Sequence, residues 1–167
     1  MPTFSHDGLT LAYDDIGAPG EGRPMILVHG FTSNRAENWR RLGWYGALER
    51  RRTRAVAMDA RGHGESGKPH DPAAYGRAKM VGDVLALMDH LEIARAHILG
   101  FSMGARTALG AALQAPERFA TLTLGGVGEK LFEPRLSGHP MAEAMEADDV
   151  ESISEPMLRS FRQFADD

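Results

Sequence analysis

The sequence predicts an α/β fold: a doubly wound, mostly parallel sheet with an antiparallel hairpin at its N-terminus. Three observations carry that expectation. Apolar runs at 24–31, 55–59 and 97–99 each lead into a glycine-bearing loop, as buried parallel strands do. Stretches of helical period lie between them. Ahead of both, two short segments flank Asp7-Gly8, a dipeptide suited to a two-residue hairpin turn.

Taken in order, Thr3 to His6 and Leu9 to Asp14 form the hairpin. Ala18-Pro19-Gly20-Glu21-Gly22 is a loop. The Met25 strand follows, then a helix from Arg35 to Leu48 and the Val56 strand. Next comes the strongest helix. Val81, Val84, Leu85, Met88 and Leu91 recur at spacings of three and four and make one apolar face for the sheet, with Asp83, Asp89 and Glu92 off it. The His97 strand, a helix from Ala105 to Gln114 and a strand from Ala120 to Leu124 complete the alternation. Such alternation implies parallel pairing with right-handed crossovers. No internal repeat or low-complexity tract interrupts it.

Gly100-Phe101-Ser102-Met103-Gly104 lies between the His97 strand and the Ala105 helix and reads as a nucleophile elbow. A serine hydroxyl is a poor nucleophile unless it is held where a base and oxyanion donors can both reach it, and a sharp strand-to-helix turn does this. With no side chain at Gly100 or Gly104, strand and helix can pass closely while Ser102 takes a strained conformation. The helix start aims N–H groups at the same point, so the N–H of Met103 is one candidate oxyanion donor. The end of the Met25 strand lies beside the elbow in a parallel sheet, which makes the N–H of Phe31 the second. The plainer reading of Ser102 is a helix N-cap. Three strands ending in glycine loops argue against it.

Through His29-Gly30-Phe31, the block Asp59 to Ser66 of Asp-x-Arg-Gly-x-Gly-x-Ser form, and the Gly100 to Gly104 elbow, in this order and spacing, the chain resembles the α/β-hydrolase superfamily over residues 8 to 128. The resemblance implies that the first motif supplies part of the oxyanion hole, the second is a structural turn, and the third carries the nucleophile. It also implies an acid after a later strand and a histidine after the last, in the chain order Ser, Asp or Glu, His. Neither stands in its expected place. Glu129 follows the 121–127 strand, where some superfamily members carry the acid; the plainer reading is a solvated loop glutamate. His139, in Ser137-Gly138-His139-Pro140, follows the elbow but has the setting of a surface turn. His29 and His63 belong to the oxyanion and structural turns. His97 opens a strand at the end away from the chemistry, and His6, His70 and His90 fall in hairpin, loop and helix. No histidine qualifies as the base.

From Glu129 onward strand character gives way to a Pro-containing, acidic, Met-rich stretch, which resembles the start of a helical cap. The expected division is therefore residues 1–128, the N-terminal part of a hydrolase core, and 129–167, the start of the cap. In the resemblance the 121–127 strand is interior and paired on both sides. Here nothing follows to pair with it, and an apolar unpaired edge invites self-association or a partner chain.

Composition narrows the field. The 167 residues are 43% hydrophobic, enough for a core, and no run approaches the ~18 apolar residues of a membrane helix. The first residues lack a basic segment followed by an apolar one, so a soluble cytoplasmic protein is expected. The absence of cysteine excludes a disulfide framework and thiolate metal or redox sites. A net charge of −4 gives no electrostatic reason to expect nucleic acid. The run Arg50-Arg51-Arg52-Thr53-Arg54 reads as a solvated helix C-terminus. No cofactor or metal is called for, and a dinucleotide site is disfavoured because no Gly-x-Gly-x-x-Gly follows a first strand.

Two functional expectations follow. One is a serine hydrolase acting on a carboxylic ester or related small acyl substrate, with Ser102 as nucleophile and the Phe31 and Met103 amides as oxyanion donors. The resemblance sets dehalogenase and epoxide-hydrolase chemistry aside, since the matching superfamily members use aspartate at the elbow. The other is a catalytically incomplete fragment or subunit that needs another chain for the triad acid and histidine. The substrate itself is not encoded in these residues.

Overall fold

The computed structural model of the protein describes residues 1–17, 22–131 and 140–164. The chain divides into two compact units, Met1–Leu131 and Phe132–Asp167. The first holds a six-stranded sheet: β1 (Thr3–His6), β2 (Leu9–Ile16), β3 (Met25–Val28), β4 (Ala55–Met58), β5 (Ala96–Phe101) and β6 (Phe119–Gly125). Their order across the sheet is β1-β2-β4-β3-β5-β6. β1, β2 and β4 pair antiparallel, and β4, β3, β5 and β6 pair parallel. The sequence therefore predicts both the sheet and its hairpin correctly. Asp7 and Gly8 have φ of 53° and 77°, the left-handed pair that a tight hairpin turn matched to strand twist requires.

The parallel strands alternate between two faces, and each face has its own helices. Ile26, Val28, Val56, Met58 and Ile98 point to the side covered by α2 (Arg77–His90) and α3 (Met103–Gln114), where they pack with Val81, Val84, Leu87, Met88, Ala108 and Ala111. Leu27, Ala55, Ala57 and Leu99 point to the other side, against Trp39 and Tyr45. Because both faces are covered, these strands read as continuous apolar runs rather than alternating ones. Each fully buried Ile or Leu contributes about 2 kcal/mol of transfer free energy.

Three expectations need correction. The single helix from Arg35 to Leu48 is two pieces, a wide π-helical turn at Ala36–Arg40 and α1 (Trp44–Arg50). Gly43 separates them with φ of 80°, outside helical geometry. The Asn34 side chain caps the first piece by accepting from the N–H groups of Ala36 and Glu37. The strand placed at 121–127 runs instead from Phe119 to Gly125, because Gly126 turns the chain away at φ of 64°. Asp83, assigned to the solvent side of its helix, is 1% exposed. It is held by a two-pronged pair with the buried Arg61 guanidinium, both contacts 2.7 Å.

β6 ends the sheet among the described residues. Leu122 and Leu124 pack on the core, while Thr121 and Thr123 are exposed, so the strand is not apolar on both faces. In the second unit, α4 (Pro140–Met145) packs on α5 (Pro156–Phe164). Between them Asp149 caps a short turn at Val150–Ser152 by accepting from the N–H of Glu151. Among the described residues no helix is long and apolar enough to cross a membrane.

Candidate active site

Ser102 sits between β5 and α3 with φ of 53° and ψ of −109°. A non-glycine residue is held there only when its surroundings over-determine it. The surroundings here are backbone. The N–H of Ser102 donates to the carbonyl of Gly125 at 2.8 Å, and the Ser102 carbonyl accepts from Ala105 and Arg106 at 3.1 and 3.3 Å. A side chain at Gly100 would strike the Gly104 carbonyl and lie 2.7 Å from Ala105 Cα. One at Gly104 would strike the carbonyls of Val28 and His29. The two glycines thus let α3 start directly over the ends of β5 and β3.

The parallel register places Val28 opposite Gly100, which brings the loop after β3 to the elbow. A methyl group at Gly30 would lie 3.5 Å from Ser102 Cβ and 3.4 Å from Phe101 Cδ1. Phe31 follows at once and is half-buried, as are Ser102 and Met103. Met103 is the first residue of α3, and the opening N–H groups of a helix have no acceptor within it. Ser102, the Gly30-Phe31 turn and the α3 N-terminus are therefore gathered at one place.

Two anchors of that place carry no sequence signal. Asn38 Oδ1 accepts from the N–H of Gly30 at 3.1 Å, and Gly125 holds Ser102 as above. His29 is a third. It is fully buried, its Nδ1 bonded to the Gly30 carbonyl at 2.7 Å and its Nε2 accepting from the N–H of Ala60 at 3.0 Å. Burial pushes its pKa down to about 4. With both ring nitrogens engaged, His29 is a neutral pin between the ends of β3 and β4.

The Asp59 to Ser66 block is scaffold. The Asp59 carboxylate is fully buried, accepts from the N–H groups of Arg35 and Glu65 at 2.7 and 2.9 Å, and pairs with the Arg35 guanidinium. A side chain at Gly64 would collide with that carboxylate. Ser66 donates to the Asp59 carbonyl at 2.7 Å and accepts from the N–H of Ala12 at 3.0 Å, tying the loop to β2. His63 stands edge-on to the rings of His29 and Phe31, at 5.2 and 5.8 Å between centroids.

Among the described residues no side chain hydrogen-bonds the Ser102 hydroxyl, and no group of three His, Cys, Asp or Glu is arranged to hold a metal. Glu129 is exposed at the start of a short turn, Glu129–Leu131. His139 lies outside the described residues, as does the loop at 18–21.

The family model for the alpha/beta hydrolase fold matches residues 23–165. A dihydrolipoyllysine-residue acetyltransferase component of the acetoin cleaving system from Pseudomonas putida is 37% identical over 166 residues, covering 96% of this chain and 43% of the relative. The crystal structure of an enol-lactonase from Burkholderia xenovorans superposes with a TM-score of 0.63 at 32% identity, covering 71% of this chain and 44% of that one. An epoxide hydrolase from Vigna radiata superposes with a TM-score of 0.71 at 28% identity, covering 93% and 49%. The chain spans less than half the length of each.

Proposed function

The chain belongs to the alpha/beta hydrolase fold family, and from that premise we propose that it carries the nucleophile and oxyanion hole of a serine hydrolase acting on carboxylic esters or related acyl compounds. The observation that carries this reading is Ser102 at φ of 53° on the elbow, with the Gly30-Phe31 turn packed against it. Ser102 Oγ attacks the acyl carbonyl, and its proton passes to a base. The N–H groups of Phe31 and Met103 stabilise the oxyanion, the alcohol leaves with a proton, and water releases the acid from the acyl-enzyme. An ester fits these residues better than an epoxide, because a serine elbow makes an acyl intermediate and the converging amides suit a carbonyl oxygen.

A second reading rests on a separate observation: Ser102 has no acid–base partner among the described residues, and the chain covers 43% of its Pseudomonas putida relative. On this reading the acid and histidine arrive on a different polypeptide that continues the sheet at β6, and the Phe132–Asp167 unit is the beginning of a cap. The two readings separate in one experiment. Hydrolysis of p-nitrophenyl acetate is measured for the chain alone and after mixing with the part of the Pseudomonas putida relative that lies beyond its match. Turnover by the chain alone, abolished in Ser102→Ala, supports a complete enzyme. Turnover only in the mixture, again dependent on Ser102, supports the complemented form. Turnover indifferent to Ser102→Ala contradicts both.

A further inference from the structure

The end of the sheet opposite Ser102 carries an ordered row of arginines. Each of the four parallel strands begins just after one: Arg54 before β4, Arg23 two residues before β3, Arg95 before β5 and Arg118 before β6. The strand order sets them along the sheet end in that sequence. Register aligns them further. Met25 opposite His97 puts Arg23 level with Arg95, and Ala96 opposite Phe119 puts Arg95 level with Arg118. Neighbouring strands are about 4.8 Å apart, so the arginines leave the backbone from adjacent positions.

The outer two are neutralised. Arg54 makes a two-pronged pair with Asp15 at 2.9 and 2.7 Å. Arg118 pairs with Asp89 at 2.8 Å and donates to the carbonyls of Ala94 and Ile93, both at 3.0 Å. The inner two are not. Neither Arg23 nor Arg95 has a carboxylate within ion-pair reach among the described residues, and the Arg95 side chain makes one 3.5 Å contact, to the Phe119 carbonyl. Like charges level on adjacent strands repel. A cavity of about 520 Å³ opens here, lined by Arg23, Arg54, Arg95, Pro24, Ile93 and Glu92, and the Arg118 bonds fix its 93–94 wall.

We propose that Arg23 and Arg95 bind the phosphoryl group of a phosphate-bearing ligand at this pole. Two guanidinium forks from adjacent strands can each make paired hydrogen bonds to one tetrahedral anion, whereas the two oxygens of a carboxylate serve a single fork. The nearly doubled charge of a phosphate also offsets both cations. Glu92, exposed on the lip, selects against further negative charge on the ligand and so favours a single phosphoryl group.

Titration calorimetry at constant ionic strength tests this on the whole chain. The probes are inorganic phosphate, glycerol phosphate, and vesicles containing phosphatidic acid, with chloride and acetate as controls. Saturable binding of a phosphate-bearing probe is expected, weakened at least tenfold by Arg23→Ala or Arg95→Ala and unchanged by Arg51→Ala, which does not line the cavity. Tighter binding of glycerol phosphate than of phosphate assigns a soluble ester; binding confined to vesicles assigns a lipid headgroup. Should an alanine variant misfold, Arg23→Lys and Arg95→Lys keep the charge without the fork, and each is expected to weaken binding several-fold. No phosphate-bearing probe binding better than chloride, or wild-type affinity in the folded alanine or lysine variants, overturns the proposal.

Discussion

The Nε2 atom of His29 accepts a hydrogen bond from the backbone N–H of Ala60, 3.0 Å away, while its Nδ1–H donates to the Gly30 carbonyl. One neutral tautomer satisfies both. The ring thereby joins the loop that approaches Ser102 to the end of the neighbouring strand. A protonated ring would lose the Ala60 bond and place a charge in a fully buried site.

Stability should therefore fall in acid through this residue. Burial lowers the folded-state pKa of His29 from 6.5 to about 4. Below pH 6.5 the unfolded chain takes up a proton that the folded chain refuses. The contribution of His29 is thus full above pH 6.5 and is lost progressively as pH falls toward 4, to a total on the order of 3 kcal/mol. Urea unfolding between pH 8 and 4 measures it. His29→Gln should be less stable at pH 8 and show a shallower loss across that window; an unchanged slope contradicts the assignment.

Gly30 should tolerate a methyl and not a branch. A Cβ there makes ordinary contacts with Phe101 and Ser102, so Gly30→Ala should keep ester turnover, or labelling of Ser102, within several-fold of wild type. The further methyls of Gly30→Val enter the space beside Ser102 and displace the Phe31 amide. Loss of one oxyanion donor costs on the order of 10²–10³ in rate. Wild-type rates in Gly30→Val would show that this turn is not the hole.

Much of this geometry is legible in the sequence because short-range chemistry fixes it. Asp7-Gly8 can only turn tightly, and Gly100 and Gly104 leave room that only a close strand-to-helix crossing needs. The break at Gly43 was masked by the apolar residues Trp39, Leu42 and Trp44, which continue a helical pattern across it. Asp83 read as solvent-facing because its partner, Arg61, is 22 residues away in the chain. Asn38 and Gly125 hold the site through single hydrogen bonds to the Gly30 and Ser102 N–H groups, and no spacing encodes those. His29 lies in a legible motif, but its bond to the Ala60 N–H, 31 residues on, is not legible.

The Arg61–Asp83 pair gives a sharp stability test. Both side chains are buried. Without Asp83 the Arg61 guanidinium keeps only Asp7, 3.4 Å away, and the Ala74 carbonyl, so the loss should be about 3 kcal/mol, the low end of that for a broken buried pair. Asp83→Ala should lower the urea midpoint accordingly. The double variant Arg61→Met, Asp83→Leu should recover part of the loss. An unfolding free energy within about 0.5 kcal/mol of wild type for Asp83→Ala, the spread of surface substitutions, would contradict a dry pair.

The outer edge of β6 should drive association. Light scattering on a sizing column should find a mass above the 18.2 kDa of one chain, and Thr123→Lys, a charge on an exposed edge position, should shift it toward the monomer. A monodisperse wild-type monomer would show that the edge is covered.

The reactivity of Ser102 is the central claim, and a fluorophosphonate probe reads it directly. The folded chain, alone and mixed with the complementing part of its Pseudomonas putida relative, is incubated with the probe, digested and mapped by mass spectrometry. The account predicts an adduct on Ser102, faster in the mixture and absent from Ser102→Ala. An adduct on another serine in both samples, with Ser102 unmodified, would contradict it.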